Sequence, residues 1–147
     1  MQPPNQMEQK IELRLRTMRI LWFSLLLSVV IYYVMTIFVA RTGQAQPNST
    51  LFLVLVGIAL STTLVSFLVK SKLIDRAVEL QQTARVQQAY IVAMALCEVA
   101  ALLGLLDYFA IGDRYYYVLF LISLCGQLLH FPQREHVISA SFKSGSF

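Results

Sequence analysis

Residues 51–69 read LFLVLVGIALSTTLVSFLV, a stretch without one charged side chain. A helix needs about 20 predominantly apolar residues to cross the hydrocarbon core of a bilayer. Three further blocks are predominantly apolar, residues 20–40, 90–109 and 115–131. Only the block at 90–109 contains charged side chains, Glu98 and Asp107. Because backbone amides find no water partners in hydrocarbon, spans of this length must be helical. The sequence therefore predicts an all-α integral membrane protein whose four transmembrane helices form two antiparallel hairpins.

The composition of the chain agrees with a membrane environment. Of its 147 residues, 57% are hydrophobic and 14% are charged, and the mean hydropathy is +0.63. A soluble domain has about 25% charged residues. The net charge of +4 does not indicate nucleic acid, because the basic residues lie in the segments between apolar blocks. The expected surrounding partner is therefore the lipid bilayer.

The distribution of basic residues predicts the orientation. Four Lys or Arg residues precede the first block, four lie between the second and third, and two follow the fourth, which makes ten of the twelve. The positive-inside rule assigns these segments to the cytoplasm. The expected parts are then a juxtamembrane helix at 1–19, a membrane domain at 20–131 with a cytoplasmic loop at 70–89, and a flexible tail at 132–147. The short loops favour a bacterial inner membrane.

The predicted cytoplasmic loop has helical periodicity of its own. Residues 70–88 contain neither Gly nor Pro. Leu73, Ala77, Leu80 and Ala84 follow a 4-3-4 spacing, which places them on one stripe of a helix. The second and third helices are therefore expected to extend beyond the membrane and to turn near residues 81–84. The stripe either docks a partner or packs within the hairpin itself.

Glu98 is the residue that most needs a functional explanation. It lies close to the middle of the third block. A charge at that depth costs at least about 2.5 kcal/mol, so such residues usually face a bundle interior and bind ions, protons or a polar partner. Desolvation favours the neutral, protonated carboxyl. Counting residues by depth places three hydroxyl side chains of the second block near the same level, those of Ser61, Thr62 and Thr63.

Small side chains near Glu98 predict close helix packing. Ala100 and Gly104 are four residues apart in the third block, and Gly57 lies in the second. Small residues at this spacing let membrane helices approach closely. These three positions are therefore expected to line helix contacts, either within one chain or between chains.

The segment IVAMALCEVAALLGLL, residues 91–106, resembles the second helix of the proteolipid (c) subunit family of rotary ATPases. In that family a mid-membrane carboxylate lies among small residues, with a Gly-Leu pair about six residues later. Glu98 and Gly104-Leu105 match these features here. The resemblance extends over roughly residues 51–108, and it implies a proton- or cation-binding carboxylate, a cytoplasmic hairpin loop and assembly into an oligomer. The first and fourth blocks have no counterpart in a two-helix subunit.

No catalytic, cofactor or metal signature accompanies these features. Cys97 and Cys125 do not form a Cys-x-x-Cys pair, and both lie inside apolar blocks. His130 lies at the inner boundary of the fourth block and not at its middle, where a haem ligand would be expected. Ser123 and Gln127 are expected to form interhelical hydrogen bonds. An enzyme is not predicted, and neither a cofactor nor a metal is expected.

Two functional hypotheses follow from the sequence. In the first, the chain is a small membrane subunit that assembles with itself or with larger partners, and Glu98 handles protons or cations. In the second, it is a structural accessory subunit of a membrane complex, and Glu98 only fixes helix packing. The identity of the ion, the oligomeric state and the partner proteins stay open.

The predicted orientation is tested by cysteine labelling in intact cells. Cysteines introduced at Gly43 and Gly112 should react with an impermeant thiol reagent added from outside, and a cysteine at Gln82 should not. Labelling at Gln82 together with protection at Gly43 would invert the topology.

Overall fold

A computed structural model describes residues 4–40 and 48–141 of the chain, with side chains from residue 8 onwards. All the regular structure in these residues is helical. Residues 1–3, 41–47 and 142–147 lie outside the described part, and with them the first predicted loop and the end of the predicted tail. The elements are α1 (Pro4–Phe38), α2 (Ser49–Glu79), α3 (Thr83–Leu106), a π-helical turn (Asp107–Ile111), α4 (Tyr117–Leu129) and α5 (Arg134–Ser139).

Three of these helices are long and apolar enough to cross a membrane. In the described residues they occupy Glu8–Phe38, Ser49–Glu79 and Thr83–Ile111. The fourth apolar helix, α4, has 13 residues. At about 1.5 Å per residue it is about 20 Å long, against about 30 Å of hydrocarbon. The chain is thus an all-helical protein with three helices that could span a membrane and a shorter apolar fourth.

The turn between α2 and α3 lies close to the predicted residues 81–84. α2 continues past residue 69 to Glu79, and α3 begins at Thr83. The Gln82 amide donates to the Ala77 carbonyl at 3.0 Å, and the Gln81 amide donates to the Val78 carbonyl at 3.1 Å. Gln81 adopts φ 51°, a left-handed conformation that glycine usually supplies at helix ends. The predicted loop at 70–89 is therefore almost entirely helical.

The largest core of the protein lies beside this turn, and we call it the hairpin-end cluster. It joins the N-terminal part of α1 to α2, α3 and α5, and consists of Ile11, Leu15, Met18, Ile74, Ala77, Val86, Ala89, Tyr90, Met94, Val137 and Ala140. Of the predicted stripe, Ala77 is buried in this cluster, whereas Leu80 is 51% exposed at the tip. The stripe is thus covered at Leu73 and Ala77 and exposed at Leu80 and Ala84.

Two smaller cores lie at the other end of the bundle, and we call them the far-end clusters. One contains Leu55, Ala59, Ala100, Ile111 and Leu119, and the other contains Val29, Ala101 and Phe120. Many large apolar side chains between the two ends are exposed, among them Leu53, Leu64 and Leu68 at 65–67%. An apolar outer surface of this extent is expected of a protein solvated by lipid.

Part of the segment predicted as a tail forms a short helix that packs against the hairpin-end cluster. α5 occupies Arg134–Ser139, and Val137 and Ala140 are each 1% exposed in the hairpin-end cluster. Their spacing of three residues places both on one face of a single helical turn. Two apolar residues in so short a polar segment give little periodic signal, so the packing of α5 was not evident from the sequence.

α4 packs closely against both α2 and α3 at Gly126. A Cβ at this position would lie 2.8 Å from Cys97 Sγ and 2.9 Å from Thr63 Cγ2. By contrast, a Cβ at Gly57 would meet nothing within 4 Å. Gly126 is therefore the position where the three helices require the absence of a side chain.

Replacing Gly126 tests this packing directly. Gly126→Leu should lower the free energy of unfolding by roughly 1–3 kcal/mol, because overpacking forces neighbouring side chains or backbone to move. Thermal unfolding in mild detergent measures the change. The matched control, Gly57→Leu, should leave the melting temperature of the detergent-dispersed monomer unchanged or slightly higher, because a Cβ at Gly57 meets no atom of the described chain within 4 Å. Equal melting temperatures for the two variants would contradict the close approach of α4.

Candidate functional site

Glu98 lies on α3 between the two groups of apolar clusters. One helical turn before it is Met94 of the hairpin-end cluster, and one turn after it is Ala101 of a far-end cluster. The Glu98 side chain is half-buried and points towards α1, where Ser28 Oγ lies 2.6 Å from Glu98 Oε1. The carboxyl group therefore links two helices at an intermediate depth of the bundle.

The hydroxyl of Ser28 has two acceptors but one proton. Ser28 Oγ lies 2.7 Å from the carbonyl oxygen of Leu25 and 2.6 Å from Glu98 Oε1. If the Ser28 proton is donated to Leu25, the contact with Glu98 requires a proton on the carboxyl group. If the proton is donated to Glu98, the carboxylate is ionised and Leu25 keeps only its bond within the helix. The same geometry therefore accommodates both protonation states of Glu98.

Tyr32 provides a second hydroxyl at this site. It lies one turn after Ser28 on α1 and is near enough to interact with both Ser28 and Glu98. Tyr32 is also packed against the far-end cluster that contains Val29. We call Ser28, Tyr32 and Glu98 the Glu98 site.

The three hydroxyls predicted to be near Glu98 are directed elsewhere. Ser61 Oγ donates to the Gly57 carbonyl at 2.7 Å, and Thr63 Oγ1 donates to the Ala59 carbonyl at 2.8 Å. Thr62 Oγ1 lies 3.0 Å from the carbonyl oxygen of Ile58. Counting residues predicts the depth of a side chain in the membrane, but it does not predict the direction in which the side chain points around its helix. The hydroxyl that contacts Glu98 belongs to α1.

The small residues predicted to line helix contacts occupy different surroundings. Ala100 is fully buried in a far-end cluster with Leu119 of α4. A Cβ at Gly104 would lie 2.8 Å from Phe120 Cε2, so this glycine also faces α4. A Cβ at Gly57 would meet no described residue within 4 Å, so this face of α2 is open. A packing role for Gly57 therefore stays a prediction about contacts between chains.

A buried polar cluster that the sequence did not indicate lies on the adjoining face of α3. Ser66, Cys97 and His130 are each 0% exposed. Ser66 Oγ lies 2.7 Å from His130 Nε2 and 3.4 Å from Cys97 Sγ, and the ring of Phe67 is 4.3 Å from that of His130. The sequence feature that could have indicated this cluster is Ser66, a polar residue within the apolar stretch 64–69 of α2. His130, expected at a boundary, is instead enclosed by protein.

The polar residues of α4 make fewer hydrogen bonds than expected. Ser123, Gln127 and His130 recur at intervals of four and three residues and are all fully buried. Within the described part of the chain, the side chains of Ser123 and Gln127 and the Nδ1 atom of His130 have no hydrogen-bond partner. The interhelical bond at Gln127 uses its backbone carbonyl, which accepts from Trp22 Nε1 at 2.8 Å. The predicted side-chain bonds of Ser123 and Gln127 are thus not formed by the described residues.

Near the hairpin end, α5 is attached through Tyr90. The Tyr90 hydroxyl lies 2.7 Å from His136 Nδ1 and accepts from the Gln133 amide at 3.1 Å. Lys70 Nζ lies 4.3 Å from the centroid of the Tyr90 ring. Burial lowers the pKa of His136, the positive charge of Lys70 lowers it further, and Glu135 acts in the opposite direction. His136 is accordingly neutral at pH 7, which suits its hydrogen bond to a tyrosine in a largely apolar cluster.

No protein-family model, curated protein or solved structure matches this chain. Among the residues that the structure describes, no group of three or more His, Cys, Asp or Glu side chains could hold a metal ion. The function is therefore inferred from the contacts and chemistry of the chain's own residues.

The contact between Ser28 and Glu98 is tested by a double-mutant cycle. Ser28→Ala and Glu98→Ala should be coupled by about 0.6–2 kcal/mol, the usual range for interhelical hydrogen bonds in membranes. Unfolding by titration with a denaturing detergent measures the free energies. The control pair is Ser61→Ala with Glu98→Ala, for which no coupling is expected. A larger coupling for Ser61 than for Ser28 would mean that Glu98 faces α2.

Proposed function

We propose that this chain is a four-span membrane subunit with both ends in the cytoplasm, in which Glu98 binds and releases a proton. The distribution of basic residues supports the orientation. The hairpin-end cluster supports it further, because it gathers α5 and the N-terminal part of α1 beside the α2–α3 turn. For the fourth span, the aromatic residues 115–117 and Phe131 extend the apolar length of α4 at both ends.

The observation that carries the proton-handling proposal is the position of Ser28 Oγ. It lies 2.7 Å from a backbone carbonyl and 2.6 Å from Glu98 Oε1. When Glu98 is protonated, it donates to Ser28, and Ser28 donates to Leu25. When Glu98 loses its proton, rotation of one hydroxyl lets Ser28 donate to the carboxylate instead. Neither protonation state leaves the carboxyl group without a hydrogen bond, so the proton can exchange without a large change in helix packing.

Assembly with other chains is supported by the outer surface of α2. Gly57 and Ser61 lie four residues apart, both on exposed parts of the helix. The Ser61 hydroxyl donates a hydrogen bond to its own helix. The two residues therefore present a surface of small side chains whose hydroxyl donor already has an acceptor. Small residues at this spacing favour close helix approach in lipid. We therefore propose a homo-oligomer or a larger complex in which α2 faces a neighbour.

The resemblance to the proteolipid subunit family agrees with this role. That family uses a mid-membrane carboxylate on the second helix of a hairpin, and Glu98 occupies the corresponding place on α3. The resemblance covers residues 51–108, whereas Ser28 belongs to α1. A hydroxyl partner supplied by an additional helix would be this chain's own feature.

The alternative function is a structural accessory subunit. It is favoured by the fact that Ser28 and Glu98 join α1 to α3 within one chain, which is what a purely packing role requires. Under this alternative Glu98 stays neutral at all times, and the bond to Ser28 only fixes the angle between the two helices.

Chemical modification tests for a protonated carboxyl in the membrane. Dicyclohexylcarbodiimide partitions into lipid and attacks protonated carboxyl groups, so it should modify Glu98 selectively in native membranes, as measured by peptide mass spectrometry. Raising the pH should protect Glu98 if it exchanges a proton, and raising the sodium concentration should protect it if it binds sodium. Glu98→Gln is the unreactive control. Failure of the reagent to modify Glu98 at any pH would contradict the proposal.

Replacement of Glu98 in the host separates the two functions. Glu98→Gln keeps the shape and the hydrogen-bonding capacity of the neutral acid, so the protein should fold normally under either hypothesis. Ion flux in membrane vesicles and growth should be lost only if the carboxyl group exchanges a proton or ion. If Glu98→Gln supports growth and ion flux as the wild type does, only the structural role remains. Failure to fold would mean that the ionised form is structurally required.

A further inference from the structure

A groove with basic and apolar walls runs between α1 and α5, separate from the Glu98 site. Its volume is about 690 Å³, and its basic wall is formed by Arg16, Arg19 and Arg134. Ile20 and Phe23 form the apolar wall. The groove thus joins side chains from the two segments that meet beside the hairpin-end cluster.

The basic wall carries positive charge that the described residues do not neutralise by ion pairs. None of the three arginines forms an ion pair with another described residue, and all three are exposed. One carboxylate, that of Glu12, also lines the groove, so three positive charges face one negative charge. Arginine binds phosphate oxygens through parallel N–H donors, and such contacts are stronger than those between neutral groups. The groove therefore has the charge of an anion-binding site.

The order of residues along α1 indicates that the ligand has an apolar part as well as an anionic group. Arg16 and Arg19 come first, and Ile20 and Phe23 follow, at 60% and 59% exposure. At about 1.5 Å per residue, Phe23 lies about 6 Å further along the helix than Arg19. A ligand that fills the groove is therefore anionic at one end and apolar at the other. Free phosphate would leave the apolar wall uncovered.

Arg19 is held in place by an aromatic support. Its guanidinium carbon lies 5.9 Å from the centroid of the Phe131 ring. Phe131 packs edge-to-face against Trp22 at 5.2 Å, and Trp22 is fixed by its hydrogen bond to the Gln127 carbonyl at 2.8 Å. An arginine supported on an aromatic ring loses less conformational freedom when it binds a ligand.

We infer that this groove binds the phosphate headgroup of an anionic phospholipid, whose acyl chain lies along Ile20 and Phe23. The inference rests on the membrane placement in the proposed function, which puts the basic wall at the cytoplasmic surface of the bilayer. Basic pockets between membrane helices on that side are suited to anionic headgroups. Glu98 takes no part in the binding.

Native mass spectrometry of the full chain in neutral detergent tests this inference. Dioleoylphosphatidylglycerol is titrated against the wild type and against the combined variant Arg16→Gln/Arg19→Gln/Arg134→Gln. The apparent Kd should rise about tenfold or more in the variant, because each basic residue near an anionic surface contributes to binding. The control, Lys72→Gln/Arg76→Gln/Arg85→Gln, removes the same charge near the α2–α3 turn and should change the Kd by less than about twofold.

The same titration with other ligands and other variants identifies the ligand and separates loss of binding from loss of folding. Dioleoylphosphatidylcholine should bind more weakly than the anionic lipid, and millimolar inorganic phosphate should not displace the lipid. Glu98→Gln should bind the lipid as the wild type does, so loss of the proton-handling role would leave this result unchanged. If the combined variant does not fold, the single variant Arg16→Gln should still weaken binding. Equal weakening in the control, equal binding of both lipids, or displacement by phosphate would overturn the inference.

Discussion

A lipid environment offers no hydrogen-bond partners, and this constraint accounts for most of the structure. Backbone groups in such surroundings must be satisfied within the same segment, which long helices achieve. The hydroxyls of α2 follow the same rule, since Ser61, Thr62 and Thr63 all bond to carbonyl groups one turn earlier on their own helix. Other polar groups bond to a second helix, as the Glu98 carboxyl group does to Ser28.

Two of the interhelical polar contacts, those of Ser28 and Ser66, share one property. Ser28 lies between a carbonyl group and Glu98, and Ser66 lies 2.6 Å from the Thr63 carbonyl and 2.7 Å from His130 Nε2. In each case a single hydroxyl proton faces two acceptors, so the titratable partner decides where the proton is donated. A serine in this position can serve two protonation states of its neighbour. Under the proposed function, this property lets Glu98 exchange a proton while it links α1 to α3.

Helix type and extent could be predicted from the sequence, because uncharged apolar blocks and the absence of Gly and Pro between them are strong local signals. The helical extension beyond residue 69 and the turn near residue 81 were predicted from the apolar stripe Leu73, Ala77, Leu80 and Ala84. The direction of side chains around each helix was not, since depth counting placed Ser61–Thr63 beside Glu98 and missed Ser28. The close contact at Gly126 was also missed, because this glycine lies outside the Ala100–Gly104 pattern. These features depend on how α1 and α4 pack against the hairpin, which no local periodicity encodes.

The central claim is that Glu98 holds an exchangeable proton next to Ser28. Infrared difference spectroscopy of the full chain in lipid, recorded as the pH is raised, observes this proton directly. The account predicts the absorption of a hydrogen-bonded, protonated carboxyl group that is lost reversibly at high pH, shifts in frequency in Ser28→Ala and is absent in Glu98→Gln. A carboxyl signal that does not change with pH while the protein remains folded would contradict it, and so would a signal that Ser28→Ala leaves unaltered.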